Sequence, residues 1–444
     1  MHPDIEAYLK DHPSPHSIDV LIADSNGILR GKQFPGEGLE KLYAKGANLP
    51  VSLLFCDIRG ETSTELLQPP LMGDPDITYE VIEGSLRPVP WAKVPTAQVF
   101  LRATDSRGEK SPLDPVTVLE RVIARFNADG MFPVVALEGE FYLLDPTKNP
   151  PEPLKPENGW PEFEGPQVYA LEPLRDVQGF LDQVKEVTTA QAIPMTSVLC
   201  EYGQSQFEMN LDHSSDLVAH CRDFIMLKHA IRNIAVANGQ LASFMAMPLA
   251  TSGGSGCHIH VSVLDKNGQN IFGSNESDLL HAIGGLMQTM GQSLAVCAPH
   301  ANSFRRYQKA GWSPNAGNWG RNHRLVSLRI PISGPKDKRV EHRIAGADVN
   351  PYLLTAAVLA GIHHGIRNEV DPGPESMEGQ PPQTGVQLPT RWREAIKAFD
   401  KSEFYREWFG NEFVDMYLRA KYAEEENFHI EVPDRDLGWC LRTV

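Results

Sequence analysis

The chain has 444 residues, of which 41% are hydrophobic and 22% charged, ordinary values for a globular protein with room for two domains and a large core. Its net charge of −16 argues against nucleic acid or an anionic membrane surface as a partner and suits a cationic small molecule. Six cysteines are scattered with no CxxC pair, the N-terminus MHPDIEAYLKDHP is polar and acidic, and no apolar run approaches bilayer length. Together these predict a soluble, reduced, cytoplasmic protein without signal peptide or span.

Residues 1–107 read as a small mixed domain. Ile18 to Ala23 and Ile28 to Phe34 flank Asp24-Ser25-Asn26-Gly27, a β-hairpin signal. A helical piece around Gly38 to Lys45 precedes the apolar run Val51 to Cys56, which reads as extended and leaves Asp57 at a strand end, pointing into a site or lying in an exposed loop. Val99 to Ala103 completes the sheet. The polar stretch Ser106 to Ser111 marks the boundary with a larger domain, residues 108–444.

The larger domain opens with a predicted helix, Pro115 to Asp129, proline near its start. It leads into Val134 to Leu144, β-branched and aromatic and closed by DPTKNPP, a strand by composition. That strand holds Glu138-Gly139-Glu140. Alternation sends both carboxylates out of one face, about 7 Å apart, and burying two like charges side by side calls for a neutralising cation. Gly139 leaves room for a ligand or another strand to approach closely. Residues 145–166 read as a surface loop and Leu174 to Val187 as a helix. In Thr196 to Leu211, Glu201 precedes a Gly-Gln-Ser turn, while Glu208 and Asn210 share one strand face and Phe207, Met209 and Leu211 the other. Asp216 to Asn238 is a long structural helix.

Next comes Gly253-Gly254-Ser255-Gly256-Cys257-His258-Ile259-His260-Val261-Ser262. An HxH pair on a strand puts both imidazoles on one face, suited to a divalent ion. The glycines let backbone amides approach an anion, although the segment is neither a P-loop nor a Rossmann turn. After a helix from Asp278 to Pro299, the segment Asn302 to Pro331 concentrates Arg305, Arg306, Arg321, Arg324 and Arg329 around Trp312 and Trp319, a composition suited to phosphate or carboxylate. Arg339, Glu341 and Arg343 share one strand face, either an ion-pair ladder or a metal ligand beside a phosphate clamp. Asn350-Pro351 caps a helix to Arg367, a Pro/Gly/Gln loop spans 371–391, and helices follow from Arg391 to Glu425.

Collected, Glu138, Glu140, Glu201, Glu208, Glu341 and His258 with an arginine cluster suit Mg²⁺ or Mn²⁺ and phosphoryl transfer. The pieces LEGEFYLLD, QFEMNL, GSGCHIHVS, NSFRR…NHRLVSLRIP and RVEHRIAGADVNPYLLTAA resemble the glutamine synthetase superfamily, in order and over nearly the whole chain. With DVLIADSNGILRGK and FPVVALEGEFYLLD the chain is most similar to that superfamily's γ-glutamylpolyamine (γ-glutamylputrescine) synthetase branch.

The resemblance implies an α+β fold: an N-terminal β-grasp domain, then a catalytic domain whose curved antiparallel sheet forms a funnel. It implies rings of six, commonly stacked as dodecamers, with each site closed by the neighbour. It implies that Glu140, Glu201 and Glu208 hold one metal and that Glu138, His258 and Glu341 hold the metal bridging the ATP phosphates, two or three ions per subunit in all. By the same resemblance Gly254 lies against the amino-acid end of L-glutamate and Arg306 takes its carboxylate. Arg324 and Arg343 stabilise the transferring phosphoryl group, Arg329 contacts ATP, His260 and Ser262 lie near the nucleotide, and Asp57 reaches into the neighbour's amine pocket.

Two departures bear on the substrate. Glutamine synthetases carry a flap glutamate over ammonium, whereas this turn is Gly311-Trp312-Ser313-Pro314-Asn315. Trp312 and Ser313 there offer an apolar wall and space for an alkyl amine. The regulatory tyrosine of bacterial glutamine synthetases also has no counterpart, because no tyrosine lies between Tyr352 and Tyr405. The expectation is an ATP-dependent ligase joining glutamate to a primary amine or polyamine. Its rivals are a glutamine synthetase using ammonia and a non-catalytic ring-forming homologue.

Overall fold

The computed structural model describes residues 1–69, 71–156, 165–308, 313–383 and 385–443. The first part of the chain runs α1 (Pro3–Asp11), β1 (Ser17–Ala23), β2 (Leu29–Pro35), α2 (Leu39–Lys45), β3 (Ala47–Pro50), β4 (Asp76–Val81), β5 (Arg87–Pro88) and β6 (Thr96–Ala103). These strands form one sheet in the order β2-β1-β6-β4-β3, with β5 on β6. The hairpin β1–β2 forms as its turn residues dictate: Asp24 Oδ1 accepts the N–H groups of Asn26 and Ile28, and Gly27 adopts φ +72°. β1 then runs parallel to β6. The apolar run after β3 differs from the expected extended segment. Val51–Phe55 is a 3₁₀ turn, because Asp74 takes the N–H and hydroxyl of Ser52 locally while Val51, Leu54 and Phe55 enter the core.

Beyond the polar link lie α3 (Pro115–Ala128), β7 (Met131–Asp145), β8 (Glu152–Pro153), α4 (Glu172–Asp176), α5 (Gln178–Ala190), β9 (Met195–Cys200), β10 (Gln206–Leu211), α6 (Leu217–Ala237), β11 (Leu241–Ser243) and β12 (Cys257–Asp265). There follow α7 (Ile271–Ser274), α8 (Glu276–Cys297), α9 (Ser303–Gln308), β13 (Ala316–Gly317), β14 (Trp319–Arg321), β15 (Leu328–Ile330), β16 (Val340–His342), α10 (Pro351–Arg367) and β17 (Val386–Gln387). The chain closes with α11 (Trp392–Asp400), α12 (Glu403–Phe409), α13 (Asn411–Ile430) and α14 (Asp434–Cys440). The helix expected over Leu174 to Val187 is two pieces meeting at Val177, and the loop expected over 145–166 contributes β8 to the edge of β7. Its residues 157–164 lie outside the described residues.

Among the described residues, nine strands make a curled sheet in the order β14-β15-β16-β12-β7-β10-β9, with β11 and β8 also pairing with β7. Every pairing is antiparallel except β14 with β15. β7 is its axis. Its Leu137, Gly139 and Phe141 line up in register with Ile259 and Cys257 of β12 and with Met209 and Phe207 of β10, and these side chains are buried on the helix-covered face. A Cβ on Gly139 would stand 2.8 Å from the Phe224 ring of α6. The tightest approach at this glycine is therefore made by a helix beneath the sheet, with the Met209 carbonyl of β10 next at 4.0 Å.

The two parts of the chain are tied by buried polar groups. Asn350 caps α10 by accepting from Tyr352 and Leu353 N–H, and its amide donates 2.8 Å to the Asp24 carbonyl. From α13, Lys421 donates 2.6 Å to Asn26 Oδ1 and pairs with Glu424 at 2.9 Å, which in turn meets His300 Nδ1 at 3.1 Å. All these groups are buried. No described helix is long and apolar enough to cross a membrane.

Candidate active site

The strand register assembles the polar face. Glu208 pairs with Glu140 across β10 and β7, Glu138 pairs with His258 across β7 and β12, and Glu341 lies between His260 of β12 and Arg329 of β15. Because strand side chains alternate, Glu138 and Glu140, and likewise His258 and His260, leave the face opposite the helices. Glu201 joins them from the turn just after β9, where its N–H donates to the Gln206 carbonyl. Ligand-capable atoms gather into three overlapping groups: Glu140, Glu201 and Glu208; Glu138, Glu208 and His258; and Glu138, His260 and Glu341. In each, the atoms lie within 4.8 Å of one another.

His258 Nδ1 lies 3.2 Å from one Glu138 oxygen and His260 Nε2 lies 2.9 Å from the other. His258 is also 3.9 Å from both Glu140 and Glu341. The Arg339 guanidinium donates to His260 Nδ1 at 3.2 Å, which leaves Nε2 to carry the proton toward Glu138. His260 thus stands as close to the acidic cluster as His258 does, as the HxH spacing led one to expect, although its pairing with Glu138 and Glu341 was not foreseen.

Burial alone would raise the Glu138 carboxyl, but hydrogen bonds and charge from His258 and His260 hold it well below the usual range. Burial works against Glu341 as well, and Arg343 with the two histidines brings it down to about 2. Glu201 and Glu208 go the other way: burial and the neighbouring carboxylates push them up to about 7 and about 9. The cluster of Glu140, Glu201 and Glu208 therefore gathers more negative charge than its protein partners neutralise, which is the donor set of a hard divalent cation. The residues present fit such an ion.

Three arginines complete the face. Glu341 receives Arg329 Nη1 at 2.9 Å and the Nη1 of Arg343. Arg306, from α9, donates 2.8 Å to the Ile344 carbonyl. All three sit in buried or nearly buried positions, and the Nε of each lacks a partner among the described residues, so each retains a donor for an anion. Gly254 and Gly256 are fitted to this corner: a Cβ on Gly254 would come within 2.7 Å of Arg306 Cγ, and one on Gly256 within 2.9 Å of Arg306 Nη2. Gly256 N–H donates 2.8 Å to Glu140.

Other expected residues sit differently. Arg324 is exposed on the turn between β14 and β15, away from any charged partner among the described residues, while Arg321 pairs with Glu276 and Glu375. Ser262 is half-buried on β12, along the face of the two histidines. Asp57 is buried, with Oδ1 taken by the N–H groups of Arg59 and Glu61 and Oδ2 by the Arg59 guanidinium. Ser313 is half-buried, and Trp312 lies outside the described residues. Sequence reasoning passed over Gln206, whose amide touches Glu140. The signal was present, since Gln206 precedes Glu208 by two residues on one strand and so shares its face.

Residues 112–440 match the profile described as glutamine synthetase, catalytic domain. The γ-glutamylputrescine synthetase of Escherichia coli (strain K12) is 35% identical over 453 residues, covering 99% of this chain and 95% of that protein. A glutamate–isopropylamine ligase from a Pseudomonas species is 30% identical over 450 residues, covering 98% of each. A solved structure of GmaS without ligand superposes with a TM-score of 0.84 at 23% identity, over 99% of this chain and 100% of that one, a likeness of fold. By profile and by full-length identity, the chain belongs to the glutamine synthetase family.

Proposed function

We propose that this protein is an ATP-dependent ligase that joins the γ-carboxylate of L-glutamate to a primary amine or polyamine by way of a γ-glutamyl phosphate. The observation that carries the reading is the convergence of five glutamates, two histidines and three arginines around one sheet face, the Nε of each arginine without a partner among the described residues, an arrangement suited to phosphate charge. The names of its relatives support amines over ammonia, and so does Ser313 in place of a flap carboxylate.

In this reading glutamate rests with its amino-acid end against Gly254 and its α-carboxylate on Arg306. The γ-phosphoryl group of ATP passes to a γ-carboxylate oxygen: one P–O bond forms while the bond to ADP breaks. Arg343 meets the developing charge, Arg324 joins it by swinging inward, and Arg329, His260 and Ser262 hold the nucleotide. A neutral amine attacks the acyl carbon, the C–O bond breaks, phosphate leaves with the electron pair, and the nitrogen sheds its proton to an acidic group of the amine pocket. Asp57 of a neighbouring copy is the candidate for that group. Mg²⁺ or Mn²⁺, two or three per subunit, held by Glu140, Glu201 and Glu208 and by Glu138, His258 and Glu341, would neutralise phosphate charge. The chain's own residues orient the reactants and exclude water from the acyl phosphate.

The proposal extends to architecture: residues 1–107 as a β-grasp domain, residues 108–444 as the catalytic domain, and a hexameric ring or a dodecamer with sites shared between copies. Six free cysteines, five of them buried, suit the reducing cytoplasm. The test is phosphate release from ATP with glutamate, Mg²⁺ and a panel of amines that includes ammonium. Release should require all three substrates and be faster with a primary amine or polyamine. Faster turnover with ammonium overturns the amine assignment, and no glutamate-dependent release with any amine overturns the ligase.

A further inference from the structure

Gln206 lies between two parts of the site and touches both. It is buried at 1% exposure. Its Nε2 donates 3.1 Å to Glu140 Oε2 and 3.1 Å to the Gly254 carbonyl. Its Oε1 accepts the Gly203 N–H at 2.8 Å and the Tyr142 hydroxyl at 3.1 Å. Both donors and both acceptor sites of the amide are thus used, which fixes which end is nitrogen. Tyr142 extends the contact, because its hydroxyl also lies 2.8 Å from Ser252 Oγ and 2.7 Å from the Gly253 carbonyl, which shares the single hydroxyl proton with Gln206 Oε1. One side chain therefore joins a glutamate of the acidic cluster, the turn beside Glu201 and the glycine segment facing Arg306.

We propose that Gln206 is a positioning residue that couples the Glu140–Glu201–Glu208 cation site to the Gly253–Gly254 segment, so that a divalent ion and glutamate each strengthen the binding of the other. This rests on the reading of Gly254 as the glutamate contact. The physical argument is geometric. Glu140 has one oxygen, Oε2, tied to Gln206 and Gly256 N–H, which leaves Oε1, 3.9 Å from His258 Nε2, to be presented to an ion. A carboxylate fixed in this way loses less rotamer freedom on binding. The same amide pins the Gly254 carbonyl, so any adjustment of Glu140 on ion binding is carried to the glycine segment through one shared group. Such coupling is reciprocal.

The experiment uses the full-length assembly with Mn²⁺ as the probe, read as free Mn²⁺ by electron paramagnetic resonance, alongside calorimetric titration of glutamate with and without Mn²⁺. Gln206→Met keeps the volume and removes all four hydrogen bonds. Mn²⁺ affinity should fall about 10-fold or more, as for supports of metal ligands elsewhere. The enhancement of glutamate binding by Mn²⁺ should disappear, while the KM for ATP stays near wild type. Tyr142→Phe removes only the hydroxyl and keeps the Gln206–Glu140 bond: it should weaken glutamate binding and leave Mn²⁺ affinity near wild type. Wild-type Mn²⁺ affinity and intact coupling in Gln206→Met overturn the proposal. So does an equal loss for ATP, which would mark general loosening. The Mn²⁺ titration needs no turnover, so a failed ligase reading and a failed positioning role give different results.

Discussion

At the level of single residues, Ser313 concentrates the question of substrate. In the proposed reading, a carboxylate in this turn would surround ammonium and take its proton, whereas a serine removes charge and leaves room for carbon. Ser313→Glu should shift the ratio of kcat/KM for ammonium over that for the best amine upward by about tenfold, the scale of one modest polar contact; an unchanged ratio would place the amine elsewhere. His220 gives a prediction independent of function. Burial lowers it to about 4, and its Nε2 accepts the Leu137 N–H of β7 at 3.1 Å while Nδ1 has no partner among the described residues. An imidazole held neutral in the fold and charged when unfolded contributes stability that is present above about pH 6.5 and is lost as pH falls toward 4, on the order of 3 kcal/mol. Urea unfolding at pH 7, 5.5 and 4.5 should show that loss in the wild type and a flatter profile in His220→Gln. The acidic residues were legible in the sequence because alternation alone puts Glu138 with Glu140 and Glu208 with Asn210. Their partners were not. That His260 faces Glu138 follows from β12 pairing with β7 in one register and with β16 in another, and register between distant strands is not written in either strand.

At the level of elements, β7 was recognisable from its β-branched and aromatic composition, and it grew at both ends to 15 residues because β12 pairs with it back to Met131 and β8 and β11 pair with its far half. Val51–Phe55 was misread for the opposite reason: a short apolar run has no length to tell strand from helix, and Asp74, about twenty residues on, decides it. Gly139 is where sheet and helix meet most tightly. Gly139→Ala should cost roughly 1–3 kcal/mol through overpacking against Phe224, read as a lower urea midpoint at unchanged slope. Phe224→Leu in the same chain should recover part of that loss; no recovery would mean that the cost is not steric.

At the level of the whole molecule, the acidic cluster and the arginines of the candidate site lie on one chain, whereas Asp57 lies in the turn after Val51–Phe55, within the first hundred residues, with its carboxylate held by that turn. If Asp57 serves a neighbouring copy, Asp57→Asn and Glu140→Gln assemblies, each inactive, should recover about a quarter of wild-type activity when dissociated and reassembled together, since one interface in four then joins two intact halves. No recovery in rings shown to be mixed would assign both residues to one chain's site. The contact of Lys421 and Glu424 with Asn26 and His300 could not be seen in advance, because on paper the two residues are an ordinary charged pair on a helix. Its consequence is temporal. The hairpin holding Asn26 leaves the ribosome first, and Lys421 about four hundred residues later, so the first sheet waits through nearly the whole of synthesis with a buried acceptor unmet. Nascent chains halted before residue 421 should therefore be cut by protease near the Asp24–Gly27 turn, and released chains should resist, so that one of the last helices to be made seals the first hairpin turn.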